Sequence, residues 1–188
     1  YHQVDLCRLP LDEFGYVLIV EESYDPVTTP LDENGQGDPY ALYGYGVQIA
    51  ELTVDTELGT VVIDRITAAH DVGKAVNPTL VEGQIEGGIA QGIGLALMEE
   101  YLPGVTNNLH DYLIPTIGDM PDIDILIVED GACYVPNGIK GLGEHVLIPT
   151  APAILNGIRN ASGAKIKTLP ATPAKVLSAI KDAEFKSV

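Results

Sequence analysis

The chain has 188 residues, 46% of them hydrophobic, and a formal net charge of −17 at pH 7. A chain of this length and apolar content can bury a sizeable core, which argues against a disordered protein. Its ten Lys and Arg residues are scattered. The charge therefore argues against sequence-independent binding to nucleic acid or to an anionic membrane, both of which need clustered basic side chains.

The cysteine content is low, with only Cys7 and Cys133, far apart in the sequence. Neither a Cys-rich metal site nor an iron–sulfur cluster can be built from this chain alone. We interpret both residues as ordinary thiols of a reducing compartment. No apolar run approaches the roughly 20 residues of a membrane span, and no charged-then-apolar leader opens the chain. The sequence predicts a cytoplasmic protein.

The first third of the chain reads as strands and loops. Gly15–Tyr24 has the composition of a strand, and residues 25–39 collect the Pro, Gly, Asp and Asn of a flexible loop. Residues 45–68 contain two β-rich runs on either side of a turn at residues 57–59. This pattern predicts an antiparallel hairpin.

Residues 77–100 read as one long helix with Asn77 as its N-cap and Pro78 in its first turn. Apolar residues recur at steps of four, as expected for one buried face: Val81, Ile85, Ile89, Ile93 and Leu97. The helix also carries five glycines, each costing up to about 1 kcal/mol against Ala in an exposed helix interior. We therefore expect close approach by a neighbouring segment or a ligand. Gln84, Gly88 and Gln91 share one face, which can receive a polar ligand.

The remaining elements are a strand at residues 123–129 and two helices, at residues 150–161 and 172–180. The second of these helices has Thr172 as its N-cap and Pro173 at its first position. Strands and helices mix without regular βαβ alternation, which predicts an α+β fold. No internal repeat is apparent.

Glu144 lies in the stretch NGIKGLGEHVLIPTAP, residues 137–152, behind three glycines and ahead of an apolar run. A carboxylate partly shielded from water has a raised affinity for protons and suits a general base. The ordinary alternative is that Glu144 caps the following helix or lies in solvent, because one carboxylate after glycine is a weak catalytic signal. The residues alone leave both open.

Four stretches together resemble a known family: HDVGKAVNPTLVEGQIEGGIAQGIGLALMEEY, DYLIPTIGDMPDI, GIKGLGEHVLIPTAPAILNGI and LPATPAKVL. From about Tyr40 to Ile180 their order and spacing are similar to the C-terminal part of the molybdenum-cofactor-binding subunit of the xanthine dehydrogenase and aldehyde oxidase family of molybdenum hydroxylases. That subunit is several times longer. The resemblance implies that residues 1–188 are a C-terminal molybdenum-cofactor-binding domain, either a fragment or the product of a split gene.

The resemblance implies hydroxylation of a carbon in an N-heterocycle or an aldehyde, with oxygen from water. It implies a molybdenum–pterin cofactor shared with the rest of the subunit, and iron–sulfur clusters and FAD on other domains or subunits. The expected partners are those parts and a small-molecule substrate, and the isolated chain is expected to be inactive. Two alternatives stay open: a non-catalytic binding or assembly module that completes a larger subunit, and a relative acting on carbon monoxide or a coenzyme A thioester.

The resemblance also implies roles for single residues. Glu144 matches the family's general base beside the molybdenum, and Gln84 matches a glutamine that lies against the pterin. Gly83, Gly141 and Gly143 would let the backbone approach the cofactor. No side chain here is expected to ligate the metal, because the family binds it through the pterin dithiolene.

Several of these residues have ordinary alternatives. Gln84 can be a surface amide, and Lys140 is interpreted as an exposed loop lysine. His70 and Asp71 are expected to be a buried pair that holds a turn, because one His–Asp dipeptide lacks the spacing of metal ligands. His145 either lines the substrate pocket or packs beside a helix.

Overall fold

The computed structural model describes residues 3–131 and 135–184 and divides the chain into two units, Tyr1–Ala41 and Leu42–Val188. Cys7 is an exposed free thiol, as expected. Cys133 lies outside the described residues. In the described part of the chain, no helix has both the length and the apolar character needed to cross a membrane.

The first unit contains the 3₁₀ turn Leu6–Arg8. Two other turns, at Asp12 and Asp32, share one hydrogen-bonding pattern. Each of these aspartates accepts hydrogen bonds from the backbone N–H groups two and four residues later, at 2.8–2.9 Å. Both turns have the sequence PLDE, at residues 10–13 and 30–33. This short repeat was not predicted, and its two copies fold alike because the Asp side chain accepts hydrogen bonds from the backbone that follows it.

The strand predicted at Gly15–Tyr24 is wrong, because the structure has no strand there. Leu18, Ile19 and Val20 are exposed. β-rich composition alone does not make a strand, which also needs a neighbour to take its backbone hydrogen bonds. Residues 25–39 contain a turn and no helix or strand. Their flexibility stays a prediction.

The second unit is built on a three-stranded sheet of β1 (Gly46–Val54), β2 (Val61–Asp71) and β3 (Asp122–Val128), in that order. β1 and β2 form the predicted antiparallel hairpin, whose turn is held by Asp55 accepting two backbone N–H bonds. β3 pairs parallel to β2, so the sheet is mixed. With the helices that pack on it, this confirms the α+β fold.

The long helix is α1, Pro78–Ile93, and Asn77 caps it by accepting the Leu80 N–H at 3.2 Å, as predicted. It ends before the predicted Glu100. A π-helical turn, Gly94–Met98, follows it, and the backbone is extended at Glu99. Periodicity did not show this ending, because the apolar pattern continues through the π turn.

Two further helices follow β3: α2, Thr150–Ser162, and α3, Pro173–Glu184. Both confirm the sequence analysis, although α3 is longer than predicted. The core lies between one face of the sheet and the helices. Its fully or almost fully buried members include Ile66 and Ala68 of β2, Ile85, Ile89 and Ile93 of α1, Ile154 and Ile158 of α2, and Val176 and Ile180 of α3.

Candidate functional site

Two glycines of α1 are covered by the segment that follows Glu144. A Cβ added to Gly88 would lie 2.8 Å from Val146 Cβ, and one added to Gly92 would lie 2.6 Å from Thr150 Cγ2. Side chains cannot approach so closely, so only glycine allows the segment to cross the helix here. The predicted approach of a neighbouring segment is confirmed at these two positions.

Two other glycines of α1 are open. A Cβ at Gly83 or Gly87 would meet nothing within 4 Å, and Gln84 between them is exposed. The ligand face predicted from Gln84 through Gly88 to Gln91 is wrong at Gly88, because the chain itself covers that position. The free backbone of the helix is limited to the part around Gln84.

The loop that carries Glu144 lies beside Gln84. A Cβ at Gly143 would be 3.9 Å from Gln84 Oε1, and one at Gly141 would meet nothing within 4 Å. A cavity of about 210 Å³ between the start of α1 and this loop is lined in part by Gln84 and Leu142. The structure therefore brings together the amide, the glycines and the loop that the sequence analysis selected separately.

Glu144 itself is exposed. It does not cap α2, which begins at Thr150 and has Pro149 before it. The shielding expected from the apolar run is wrong for this chain, because Val146 and Thr150 pack against α1 and Ile148 is exposed. The described residues leave the carboxylate open to solvent.

Lys140 is not the exposed loop lysine that the sequence analysis proposed. Its side chain and that of Asp71 are each 7% exposed, and the two form a hydrogen-bonded ion pair. Burial by itself raises the pKa of Asp71, but hydrogen bonds from Lys140 and from the Gly73 N–H outweigh it, and this pKa lies below its ordinary value. The hydrogen bond to Asp71 raises the pKa of Lys140. Both groups are charged at neutral pH.

His70 is fully buried, at the end of β2 next to Asp71. Burial, and next the charge of His145, lower the pKa of His70 to about 4, so its ring is neutral at pH 7. Gln48 Nε2 lies 3.1 Å from His70 Nε2 and donates to the Val146 carbonyl at 2.9 Å. The expected burial of His70 and Asp71 is confirmed, and Asp71 holds the turn by accepting the Gly73 N–H.

Gln48 is a structural residue that the sequence analysis missed. It is buried, and it ties β1 to the segment after Glu144. The available signal was its place in the alternation of β1, where it shares a face with the partly buried Ala50 and Leu52. A polar residue at an inward position needs a partner, and Val146 provides one.

His145 packs inward. Its Nδ1 lies 3.0 Å from the Gly141 carbonyl oxygen, its ring centroid is 5.2 Å from that of His70, and a Cβ at Gly44 would lie 3.1 Å from the ring. These contacts are with the end of β2 and with loop backbone, so the predicted packing beside a helix is wrong, and a place in the substrate pocket stays a prediction. Within residues 3–131 and 135–184, no group of three or more His, Cys, Asp or Glu side chains is arranged to hold a metal ion.

The chain is similar to curated proteins that include a xanthine dehydrogenase subunit and an aldehyde oxidoreductase. It is 43% identical over 138 residues to the putative xanthine dehydrogenase molybdenum-binding subunit XdhA of Escherichia coli strain K12, covering 70% of this chain and 18% of the relative. It is 41% identical over 152 residues to the aldehyde oxidoreductase of Megalodesulfovibrio gigas, covering 78% of this chain and 16% of that protein. The chain thus spans less than a fifth of these relatives.

Solved structures show the same likeness. The aldehyde oxidoreductase from Desulfovibrio desulfuricans superimposes with a TM-score of 0.78 at 41% identity, over 81% of this chain and 17% of that one. Quinoline 2-oxidoreductase from Pseudomonas putida 86 gives a TM-score of 0.68 at 38% identity, over 71% of this chain and 18% of that one.

A family model described as a molybdopterin cofactor-binding domain matches residues 14–121. This range begins before the expected Tyr40, includes α1 with Gln84, and ends before the loop of Glu144. The match, the relatives and the structures agree. The chain belongs to the molybdopterin cofactor-binding domain family, which it shares with the molybdenum-binding subunits of xanthine dehydrogenases and aldehyde oxidoreductases.

Proposed function

We propose that this chain completes the molybdenum–pterin site of a hydroxylase that adds oxygen from water to a carbon of an N-heterocycle or an aldehyde. The observation that carries the proposal is the meeting of Gln84 with Gly143, immediately before Glu144. The names of two relatives, an aldehyde oxidoreductase and a quinoline 2-oxidoreductase, supply the two substrate classes. Location in the cytoplasm stays a prediction from the sequence.

The residues present fit such a cofactor. Gln84 offers an amide donor and an amide acceptor, which suits the ring nitrogens and oxygens at the edge of a pterin. Gly83, Gly87 and Gly141 have free space where a side chain would stand. A flat ligand can therefore reach the backbone around Gln84 without a steric clash.

When bound, the molybdenum–pterin group would supply the redox chemistry, with electrons leaving to iron–sulfur centres and FAD on other domains or subunits. Glu144 would act as the general base and accept the proton of the oxygen that attacks the substrate carbon. Its exposure in this chain leaves the carboxylate accessible for that transfer. Gln84 would orient the cofactor through hydrogen bonds, and Gly143 would keep the loop close to that amide.

The rest of the molybdenum-binding subunit is the proposed main partner. Successive strand residues point to opposite faces of a sheet. Gln48 faces the core, whereas Val47, Ile49, Leu126 and Val128 are exposed apolar residues of the strands. An apolar surface of this kind suits contact with another protein segment. The isolated chain should carry no molybdenum and should self-associate or bind the rest of the subunit, which metal analysis and light scattering would measure.

The alternative of a non-catalytic assembly module is tested by the same measurement together with activity. A monodisperse, isolated chain with stoichiometric molybdenum would contradict the need for the partner. An assembled enzyme in which no substitution in this chain affects turnover would favour the assembly module.

The central experiment is Glu144→Gln in the assembled enzyme. Removing a general base lowers turnover by roughly 10² to 10⁴, while the molybdenum content should stay close to that of the wild type. Glu57→Gln removes the same charge from the exposed turn between β1 and β2 and is the matched control. Wild-type turnover of Glu144→Gln at full molybdenum content would refute the assignment.

A further inference from the structure

We propose that Lys140 and Asp71 are positioning residues for Glu144: their buried ion pair fixes the base of the catalytic loop against the turn that follows β2. This inference rests on the proposed role of Glu144 as the base. Lys140 lines the cavity beside Gln84, but its ammonium group is bound to Asp71, so the role proposed for the pair is positioning and not contact with the reacting atoms. Their effect is exerted through the loop backbone.

The side chains of the pair are buried and bonded to each other. Both side chains are 7% exposed, and the residues lie 69 positions apart in the sequence. Asp71 uses one carboxylate oxygen for Lys140 and the other for the Gly73 N–H, at 2.9 Å. A charge-assisted bond between two buried groups has a defined direction, so it restrains orientation as well as distance.

The backbone is joined at the same place. The Lys140 N–H donates to the Val72 carbonyl at 3.0 Å, and the Lys74 N–H donates to the Gly138 carbonyl at 2.9 Å. Gly73, with φ of 63°, lies between these bonds and is bridged to Ile139. A Cβ at Gly73 would lie 3.1 Å from the Gly138 carbonyl carbon and closer still to its oxygen. The two segments are therefore in direct backbone contact.

Glu144 stands between this anchor and a second one. Three residues separate it from Lys140, two of them Gly141 and Gly143, which offer no side chain to restrain the loop. On the other side Val146 is buried against α1. With the ion pair lost, the backbone bonds alone would hold the base of the loop, and the glycines would let the carboxylate move. A displacement of about 1 Å of a reacting group can cost roughly a hundredfold in rate.

An ion pair differs from an apolar contact in what it contributes. The free energy needed to remove two charges from water offsets much of their mutual attraction. An apolar pair of similar size can therefore give an equally stable fold. The apolar pair lacks the directional bond. Replacing both charges should therefore separate the stability of the fold from the position of the loop.

The test uses the assembled enzyme with its molybdenum content measured. Lys140→Met should lower kcat per bound molybdenum by roughly ten- to a hundredfold with KM little changed, and should speed amide hydrogen exchange in residues 138–146. Lys167→Met removes the same charge from an exposed position and should change neither. A merely structural role would reduce the yield of folded enzyme and leave kcat per molybdenum unchanged, which would overturn the proposal.

The double variant Asp71→Leu/Lys140→Met also covers the case in which the single variant does not fold. It should recover part of the melting temperature lost in Lys140→Met, because no unpaired charge stays buried, although the Gly73 N–H loses its acceptor. Its kcat should stay low and its loop exchange fast. Recovery of kcat together with stability would overturn the proposal. Glu144→Gln separates the two hypotheses: wild-type turnover there refutes the base, whereas the exchange data still report on the anchor.

Discussion

Helix α1 meets the segment around Glu144 along two stretches that use glycine differently. In the packed stretch, Gly88 and Gly92 receive Val146 and Thr150. In the open stretch, Gly83 and Gly87 flank Gln84 and face free space. Glycines in a helix therefore do not identify a ligand site by their number. Glycines that are covered by side chains of the chain itself serve packing. Only the uncovered glycines mark a surface that a ligand can reach.

The packed stretch can be broken most severely by Gly92→Ala. The new Cβ would lie within 2.7 Å of Thr150 Oγ1 and 2.6 Å of its Cγ2. We expect a loss of roughly 3 kcal/mol in the free energy of unfolding, at the upper end for overpacked cores. Urea unfolding measures it. Unchanged stability would mean that Thr150 moves away freely and that the stretch is not tightly packed.

The buried polar residue behind the packed stretch should make stability depend on pH. The pKa of His70 is lowered from 6.5 to about 4, chiefly by burial, so protonation favours the unfolded chain. The contribution of neutral His70 to the free energy of unfolding is fully present above pH 6.5. It is lost as the pH falls through about 4, and the total loss is up to about 3 kcal/mol. His70→Gln should flatten this part of the unfolding profile. His110→Gln, at an exposed position, should leave it as in the wild type.

The open stretch is tested by Gln84→Ala. Loss of one oriented hydrogen bond to a buried ligand atom costs on the order of 1–3 kcal/mol, which corresponds to roughly ten- to a hundredfold weaker binding at the upper part of that range. Molybdenum per protein should fall during dialysis while activity per molybdenum stays near wild type. Gln91→Ala, exposed on the same helix, is the control. Unchanged occupancy with collapsed activity per molybdenum would place Gln84 against the substrate instead.

The smallest expected effect is a gain in stability from a Gly→Ala change in the open stretch, the opposite of the loss expected for Gly92→Ala. Gly87→Ala adds a Cβ that meets nothing within 4 Å. It should stabilise the chain without cofactor by about 0.5–1 kcal/mol, the usual gain in a helix interior. If a ligand approaches this backbone, cofactor retention should fall in the assembled enzyme. A loss of stability equal to that of Gly92→Ala would remove the distinction between the two stretches.

Local signals predicted the elements of the second unit well. The hairpin, the cap at Asn77 and the starts of α2 and α3 depend on residues close in sequence, and the structure confirms them. Gly15–Tyr24 has the composition of a strand but no strand structure, because pairing depends on a neighbour that composition does not reveal.

The site was predictable in part. Its residue types and family resemblance selected Gln84 and the glycine loop, and the structure places Gln84 beside Gly143. Their chemical roles stay predictions. Lys140 was misjudged because its partner, Asp71, is distant in sequence, and no local pattern marks the pair. The exposure of Glu144 was misjudged because Val146 packs against α1 and Ile148 is itself exposed, so neither covers the carboxylate.

The parallel pairing of β2 with β3 sets an order for folding. Arg65 lies opposite Asp122, so this pairing closes a long loop that contains all of α1, whereas the β1–β2 hairpin closes a short one. Closing a loop lowers the conformational entropy of the chain before the contacts at its ends can stabilise it. Folding is therefore slower when its contacts join residues that are distant in sequence. We expect the hairpin and α1 to form early and the packing of Thr150 on Gly92 to form late. The loop that carries Glu144 would then reach its final place in the last stage of folding.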